Sequence, residues 1–484
     1  MRAFIASSIG VACVAVLVLS SAVPAGAAPG TRTAPAGSAE PSDLPGSTES
    51  LPISPLPPAS DRGTDEPSRT AEPAEQGLPE REVHPFSLVG VVWDDIGTEL
   101  HGTVQVRTRT AGTTRWSDWQ DLETHNAEHA ADFGTDERAS GAVRGSTAPL
   151  WVGASDGVAV RVRPETSDPQ DRDSAAVPLP TGLRLELVDP GKDPQQLPAS
   201  GPEATGATGA TGDTGDTGNT GDTGNTGNTG NTKDAWSTPD TTDTTDTDGR
   251  TTPLGASVLP ALSKEESEAR GEADAKLAPG AQPYIGPRPR IITRKGWGAD
   301  EKLRERAFVY TKSVKAAFIH HSATGNNYTC SQASSVLRGI YRYHVKSNGW
   351  RDIGYNFAVD KCGNIYEGRA GGVTKAVLGA HTLGFNSNSM GIAVLGTFTT
   401  SNPSAAAVNA LAKLTAWKLG LFGANPSGKV TLVSGGGNKY KKGAKARLNV
   451  ISGHRDGFAT ECPGARLYQK LGSARTSSAR LQGR

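Results

Sequence analysis

The chain is poor in hydrophobic and aromatic residues. Only 35% of its 484 residues are hydrophobic and 6% are aromatic, whereas 59 are glycine and 32 are proline. A chain this polar and this rich in glycine and proline cannot bury a core along its whole length, so we expect long disordered segments. Its length still allows several domains.

The chain also lacks a net charge, but this balance hides a division. Residues 281–484 contain 30 Lys and Arg against 8 Asp and Glu, whereas the rest contains 20 against 42. A domain this basic usually meets a polyanion, either nucleic acid or an anionic cell wall. The simpler alternative is that the surplus charge only aids solubility.

One apolar run lies at the N-terminus. It extends from about Ile9 to Leu19, and small residues at 25–27 follow it. A membrane-spanning helix needs about 20 apolar residues, so the run predicts a cleaved secretory signal over 1–27 rather than an anchor. We therefore expect a secreted protein, extracellular or wall-associated, without a stable membrane anchor.

Cysteine is scarce. After signal cleavage only Cys330, Cys362 and Cys462 remain. An odd number in a secreted protein leaves one thiol unpaired or bound to a metal. A disulfide between two of the three suits an oxidising compartment.

The first half of the chain divides by composition. Residues 28–82 are rich in Pro, Ser, Thr, Ala and acidic residues and are predicted to be disordered. Residues 83–190 contain short alternating apolar runs, which predict an all-β, sandwich-like domain of unknown role. Within it, Trp116 and Trp119 suggest sugar stacking, but covering the core is the interpretation we favour.

A glycine repeat marks the next segment. Glycine recurs at every third residue from Gly206 to Gly230, within triplets at 206–232. This is the collagen period, but the triplets contain no proline, whereas collagen normally has about 15–20%. We therefore predict a long disordered linker over 191–290, and trimerisation through the repeat is the less favoured alternative.

The last part of the chain mixes strand and helix patterns. A buried strand is predicted at 315–320, and a helix follows a capping box at Thr329 and Gln332. A second amphipathic helix is predicted between Pro403 and Gly420. Residues 291–472 therefore predict an α/β domain, a central mixed sheet flanked by helices, with a disordered tail at 473–484.

Two histidines and a cysteine supply the donor types of a zinc site. His320 ends the first predicted strand, His454 begins a His-Arg-Asp sequence, and Cys462 follows eight residues later. A catalytic zinc has three protein ligands and keeps its fourth position open for water. The three residues suggest metal-assisted hydrolysis, although Cys462 as a thiol held by apolar packing is the alternative. A general zinc protease is disfavoured, because no His-Glu-x-x-His occurs.

Five ordered motifs resemble the peptidoglycan recognition protein family, also called the type-2 N-acetylmuramoyl-L-alanine amidase family. They are IHHSA at 319–323, GYNF at 354–357, YEGR at 366–369, GFNSNSMG at 384–391, and GHRD through TECPG at 453–464. The resemblance runs from about Ile292 to about Leu471. It implies an α/β fold, a Zn²⁺ cofactor and hydrolysis of the amide between N-acetylmuramic acid and L-alanine of peptidoglycan.

The resemblance also implies roles for single residues. His320, His454 and Cys462 match the zinc ligands, whereas His321 does not, since adjacent side chains of a strand point in opposite directions. Tyr355 matches a catalytic tyrosine. Thr460 stands where phage relatives have a catalytic lysine and eukaryotic amidases commonly have threonine. Both hydroxyls are expected to donate to the oxyanion.

Further residues match the family's substrate groove and its disulfide. His344, His381 and Asn386 lie at positions that line the muropeptide groove in relatives. His344 as a core histidine and Asn386 as a turn residue are the alternatives. The family often has a disulfide near Cys330 and Cys362, so we pair these two. The loop would contribute about 3–4 kcal/mol in the chain-entropy model.

Three functions remain in competition. A secreted zinc amidase is favoured, because family members that only bind commonly lack the cysteine ligand, which is present here as Cys462. A non-catalytic peptidoglycan-binding protein and a wall-attached surface protein are the alternatives. The expected partners are peptidoglycan and anionic wall polymers rather than nucleic acid. Exposed lysines near Lys441 could add wall affinity.

Overall fold

The computed structural model describes residues 46–56, 75–166, 176–193, 256–274 and 284–484. The predicted signal sequence and the glycine triplets lie outside the described residues. Within the described parts of the chain, no helix is both long enough and apolar enough to cross a membrane.

The N-terminal domain is built on an antiparallel sheet of eight strands. The elements are β1 (Thr48–Pro52), β2 (Ser54–Pro55), β3 (Gln76–Trp93), β4 (Gly102–Thr110), β5 (Gln120–Leu122), α1 (Asp136–Ala139), β6 (Gly145–Ser146), β7 (Leu150–Pro164) and β8 (Arg184–Val188). The order along the sheet is β1-β8-β3-β7-β4-β5, and β2 and β6 pair with β3. Register shifts interrupt the pairing of β3 with β7, and such bulges bend long strands. The predicted β-rich domain is therefore present.

This domain begins earlier than its sequence indicates. β1 lies inside the segment predicted to be disordered, yet it pairs with β8 from Thr48 to Pro52. Leu51 and Ile53 are buried in the domain core. The strand is at the edge of the sheet, where proline is tolerated. It can therefore contain proline, and for this reason its composition resembles that of a disordered segment. The prediction of disorder for 28–82 is wrong at 48–55 and at 76–82.

The two tryptophans also differ from the favoured interpretation. Trp116 and Trp119 are partly exposed and lie outside the apolar core. Arg107 lies over both rings, and Arg161 lies 4.2 Å from the centroid of Trp119. The rings therefore pack on arginine side chains of the sheet surface.

The C-terminal domain has a seven-stranded mixed sheet and a hairpin. The strands are β9 (Val258–Leu259), β10 (Ile291–Ile292), β11 (Ala316–His321), β12 (Phe357–Val359), β13 (Ile365–Glu367), β14 (Ser389–Val394), β15 (Lys429–Val433), β16 (Lys445–Asn449) and β17 (Ile451–Gly453). The sheet order is β17-β11-β14-β12-β13-β10-β9, and β15 pairs with β16. β11 is parallel to both of its neighbours and buried throughout. The sequence of a strand that is buried on both faces is a continuous apolar run. The buried strand predicted at 315–320 is therefore confirmed.

Helices cover the sheet, as the α/β prediction requires. They are α2 (Lys264–Asp274), α3 (Arg294–Trp297), α4 (Ala333–Arg342), α5 (Ala405–Gly420), α6 (His454–Gly457), α7 (Ala465–Tyr468) and α8 (Leu471–Gln482). A 3₁₀ turn at Cys330–Gln332 leads into α4 and a π-helical turn at Tyr343–Ser347 ends it. The predicted cap is present, since the Thr329 amide donates to Gln332 at 2.8 Å. Cys330 and Cys362 form a disulfide, the predicted pairing.

Two further boundary predictions are wrong. Part of the predicted linker is ordered, since β9 pairs with β10 and Arg288 donates to the Pro260 carbonyl at 2.8 Å. The predicted tail is α8, whose Gln482 donates to the Ala416 carbonyl of α5 at 2.9 Å. Its sequence has a weak apolar pattern, so only packing against α5 reveals it.

The two domains share one apolar core. Leu88 and Trp151 of the N-terminal sheet pack in one cluster with Leu337 and Tyr343 of the helix region. The Tyr343 hydroxyl donates to the Thr147 carbonyl at 3.1 Å, and a Cβ at Gly90 would overlap it. The sequence predicted domains joined only by a disordered linker, whereas the described residues of both domains are packed together.

Candidate metal centre

The sheet brings two predicted ligands to one edge. β11 and β17 are parallel with Ile319 opposite Gly453, so the next residues, His320 and His454, lie at neighbouring strand ends. Cys462 comes from the loop before α7, which is tied back by a hydrogen bond from the Arg455 amide to the Cys462 carbonyl at 3.0 Å. All three ligand side chains are buried.

A fourth candidate ligand comes from the N-terminal domain. His129 Nε2 lies 3.3 Å from His320 Nδ1 and 3.7 Å from Cys462 Sγ. Cys462 Sγ lies 3.7 Å from His320 Nδ1. The donor atoms of His129, His320, His454 and Cys462 all lie within 4.8 Å of one another. The structure therefore brings the three predicted ligands together and adds one that was not predicted.

The spacing of these atoms fits a tetrahedral zinc. Ordinary Zn–N and Zn–S bonds place two nitrogens about 3.3 Å apart and a nitrogen and a sulfur about 3.6 Å apart. The measured separations of 3.3 and 3.7 Å agree. Both ring nitrogens of His454 also have no hydrogen-bond partner among the described residues. Since buried polar atoms are normally paired, this residue set fits a metal.

Burial sets the protonation of the ligands. It lowers the pKa of His320 and of His454 well below the ordinary value, with neighbouring histidines adding to the effect. Both imidazoles are therefore neutral, the form that binds a metal. Burial raises the pKa of the Cys462 thiol well above its ordinary value. A bound cation reverses that effect and deprotonates the thiol.

His321 is placed away from the cluster, although it is buried next to His320. Its Nδ1 accepts from the Phe398 amide at 3.5 Å, and it is absent from the set of potential ligands found among the described residues. Adjacent residues of β11 point to opposite faces, which explains the division of roles.

Tyr355 lies beside the ligands. Its ring centroid is 5.5 Å from that of His320 and 6.0 Å from that of His129. Burial raises the pKa of Tyr355 well above the ordinary value, and Cys462 and Glu128 add to the effect. The hydroxyl therefore stays protonated and can donate a hydrogen bond.

Thr460 is close to the ligands but already engaged. Its hydroxyl donates to Glu128 at 2.6 Å and accepts from the Cys462 amide at 3.1 Å. Burial raises the pKa of Glu128 to about 7, and the hydrogen bond from Thr460 opposes that rise. The predicted oxyanion donor is thus occupied by a side chain of the N-terminal domain.

The three predicted groove residues lie near the same centre. The His381 ring lies 5.4 Å from that of His320, and its Nε2 has no hydrogen-bond partner among the described residues. Gly391 makes this approach possible, since a Cβ there would overlap the His381 ring. His344 accepts from the Gly354 amide at 3.2 Å and stacks on Trp350 at 4.4 Å.

Asn386 has the structural role that the sequence offered as the alternative, and it also contacts the N-terminal domain. Its carbonyl oxygen accepts from the amides of His381 at 2.7 Å and Thr382 at 3.0 Å, which holds the loop. Its amide donates to the Ala130 carbonyl and to Asp132 of the N-terminal domain. Asn386 therefore holds this loop and ties it to the N-terminal domain.

Sequence reasoning missed four residues of this region: Glu128, His129, Asp132 and Glu137. His129 stands 191 positions before His320, in a segment outside the family resemblance. The available signal was weak. His125 and His129 lie close together among acidic residues, although the chain has only nine histidines.

Comparison with known proteins places both domains. Residues 39–180 match a family described as "Rv3811 N-terminal galactose-binding domain-like", and residues 310–465 match one described as N-acetylmuramoyl-L-alanine amidase. Peptidoglycan-recognition protein SC2 of Drosophila melanogaster is 33% identical over 183 residues, 37% of this chain and 84% of that protein. N-acetylmuramoyl-L-alanine amidase of Homo sapiens is 30% identical over 187 residues, 38% of this chain and 28% of that protein.

A solved structure is also similar to the C-terminal part. Peptidoglycan recognition protein LE, in complex with tracheal cytotoxin (monomeric diaminopimelic acid-type peptidoglycan), is 31% identical. The match covers 38% of this chain and 92% of that one, with a TM-score of 0.30.

Proposed function

Because this chain belongs to the peptidoglycan-recognition protein family, to which an N-acetylmuramoyl-L-alanine amidase is also related, we propose that it is a zinc-dependent amidase of peptidoglycan. The bond cut is the amide between the lactyl group of N-acetylmuramic acid and L-alanine. The observation that carries the proposal is the cluster of His320, His454 and Cys462 with Tyr355 beside it. A site built only to bind a muropeptide has no need of a buried thiol between two imidazoles.

The chain's own residues would hold the metal and the substrate. His320, His454 and Cys462 would bind zinc. When bound, zinc polarises a carbonyl oxygen and lowers the pKa of water to about 7. Tyr355 would donate its hydroxyl proton in a hydrogen bond to the oxygen on which negative charge develops. Thr460 would be a second donor once its hydroxyl is released from Glu128.

The groove residues would orient the muropeptide. The His344 ring lies 5.7 Å from that of Tyr355, and the His381 ring lies 5.4 Å from that of His320. Asn386 offers an amide that already donates to a peptide carbonyl, that of Ala130. Holding a substrate amide against positioned donors removes most of the entropy cost of the reaction. The domain's excess of Lys and Arg would add attraction for anionic wall polymers.

We also propose that the protein acts outside the cell. The apolar run before residue 28, the small residues at 25–27 and the disulfide between Cys330 and Cys362 support secretion. Peptidoglycan would then be met in the wall or in the medium.

The test uses the full chain on intact peptidoglycan sacculi. New N-terminal alanine amines are quantified with zinc, with a chelator, and with zinc restored. The same assay is run on His129→Ala, which frees one ligand position, and on Cys462→Ser, which removes a ligand. Zinc-dependent release of alanine amines by the wild type or by His129→Ala supports the amidase if the release is lost when Cys462→Ser is added to the active form.

The second candidate is a peptidoglycan-binding protein without catalysis. The observation in its favour is that His129 completes four protein ligands, the number found in structural zinc sites. Sacculus binding with no alanine release from the wild type, from His129→Ala or from His129→Ala combined with Glu137→Gln would establish this alternative and reject the amidase.

A further inference from the structure

His129 gives the metal centre one protein ligand more than hydrolysis requires. Catalytic zinc sites have three protein ligands and an open position, whereas sites with four protein ligands are closed. The four donor atoms here are mutually close, and the separations from His129 Nε2 to His320 Nδ1 and to Cys462 Sγ are those of ligands on one tetrahedron. His129 thus occupies the position that the substrate's chemistry needs.

The chain around His129 lies against the residues that are expected to line the substrate groove. We call residues 126–142 the groove segment. The Leu383 amide donates to the Glu128 carbonyl at 2.9 Å, and Asn386 donates to the Ala130 carbonyl at 2.8 Å. These two hydrogen-bond donors of the C-terminal domain are therefore already bonded to backbone carbonyls of the N-terminal domain.

Carboxylates of the groove segment reinforce these contacts. Asp132 accepts from the Gly384 amide and from Asn386, both at 2.7 Å. Glu137 forms a two-point ion pair with Arg369 at 2.8 and 2.9 Å, and both side chains are buried. Paired parallel contacts of this kind are the most specific that arginine makes. A basic domain therefore has its groove occupied by acidic side chains of the same chain.

The groove segment also makes an apolar contact with the C-terminal domain. Ala131 is buried against Trp350 and Ala380, and Trp350 in turn stacks on His344. The groove segment thus touches the metal ligands, the predicted oxyanion donor Thr460 and the predicted binding residues at once.

We propose that the N-terminal domain is a built-in inhibitor, in which His129 closes the metal site as its fourth ligand and the groove segment excludes peptidoglycan. The proposal rests on the proposed function for its consequence, but the closure itself concerns metal ligation and binding. Full access to the groove then requires withdrawal of residues 126–142.

The fold allows this withdrawal without separation of the domains. The groove segment is a loop whose regular structure is the four-residue α1. The apolar core shared between Leu88, Trp151 and α4 contains none of its residues. Loops with few apolar contacts open at lower free energy than the core they are attached to.

The first experiment measures ligation in the full chain loaded with cobalt(II) in place of zinc. Visible absorption is recorded for the wild type, for His129→Ala and for the matched control His125→Ala, an exposed histidine of the same region. Azide is then added, because an anion binds an open position but not a closed one. We expect the wild type and His125→Ala to share a spectrum that azide leaves unchanged.

The variant His129→Ala should have a different spectrum that shifts with azide, and zinc affinity lower by about tenfold or more. A wild-type spectrum that shifts with azide would overturn the proposal without any variant. An unchanged spectrum in folded His129→Ala would overturn it as well, because His129 would then not be a ligand.

The second experiment measures access to the groove by cosedimentation with sacculi. Glu137→Gln removes one charge of the buried pair, so it should weaken the hold of the groove segment and raise sacculus binding severalfold. Equal binding by the wild type, His129→Ala and Glu137→Gln would overturn the exclusion of peptidoglycan. If binding rises but no variant releases alanine, closure stands and the amidase is rejected.

Discussion

Single side chains set the chemistry of this centre, and burial sets their protonation. Burial lowers the pKa of His320 and His454 well below the ordinary value, so both are neutral electron-pair donors at any physiological pH. Burial raises the pKa of Tyr355, so its hydroxyl remains a donor. Two neutral imidazoles and a protonated phenol therefore lie close together, in the protonation states that metal binding and hydrogen-bond donation need.

Tyr355→Phe tests the donor. The hydroxyl has one proposed task, to stabilise charge that develops in the transition state, so its removal should lower kcat by about 10²–10³. The variant should be assayed in the His129→Ala background, with alanine release as the readout and zinc content measured in parallel. Loss of zinc together with activity would instead assign Tyr355 a role in building the site.

Among residues, the sequence predicted those that share a short motif. His320, His454 and Cys462 lie within ordered motifs that resemble those of the family, and their residue types are ones that zinc binds. His129 has no such neighbours in the sequence, and Glu137 meets Arg369 across 232 positions. Contacts between residues so far apart in the chain produce no periodic or compositional pattern in the sequence. They could therefore not be predicted from one sequence.

At the scale of elements, local rules placed most of the C-terminal domain. α5 (Ala405–Gly420) begins two residues after Pro403 and ends at Gly420, as predicted. β11 (Ala316–His321) agrees with its apolar run within a residue. These elements have strong local signals, whereas β1 and α8 depend on partners far away in the sequence.

The disulfide at the start of α4 should contribute to stability. Cys330 and Cys362 are 32 positions apart, and closing a loop of that length restricts the unfolded chain by about 3–4 kcal/mol. The double variant Cys330→Ser/Cys362→Ser should lower the free energy of unfolding by that amount, measured by urea denaturation. Reduction of the wild type should lower its free energy of unfolding by a similar amount. The double variant has no disulfide, so it should unfold at the same urea concentration with and without reductant.

α8 should be a stabilising element rather than a tail. Leu471 is 1% exposed and belongs to the main core cluster, so Leu471→Ala should cost about 2–5 kcal/mol. Thr476→Ala changes an exposed residue of the same helix and should stay within about 0.5 kcal/mol. Equal unfolding midpoints for the two variants would show that packing of α8 (Leu471–Gln482) through Leu471 contributes nothing to the fold.

At the scale of the whole molecule, opposite charges lie in different parts of the chain. Residues 281–484 have 22 more basic than acidic residues, and the rest has 22 more acidic than basic residues. The two described domains are nevertheless packed together, and Glu137 and Asp132 of the first contact Arg369 and Gly384 of the second. The charge division therefore serves an internal contact as well as any external one.

Wall binding by the opened protein should depend on salt. Raising NaCl from about 0.05 M to about 0.5 M shortens the screening length several-fold, so sacculus binding by His129→Ala/Cys462→Ser should fall by about tenfold. Cys462→Ser prevents hydrolysis of the target during the measurement. Replacing the exposed Lys441 and Lys442 with alanine should reduce this salt dependence, and an unchanged dependence would place the attraction elsewhere on the domain.

The sequence by itself determined the family, the α/β class of the C-terminal domain, the β-rich class of the N-terminal domain and three of the four candidate ligands. These depend on local patterns and ordered motifs. The tertiary structure alone decided that β1 and α8 are ordered, that the domains share an apolar cluster, that His129 joins the candidate ligands and that Glu137 pairs with Arg369. Those features depend on contacts between residues far apart in the chain. Such contacts stabilise the fold only after the intervening chain has brought both residues together.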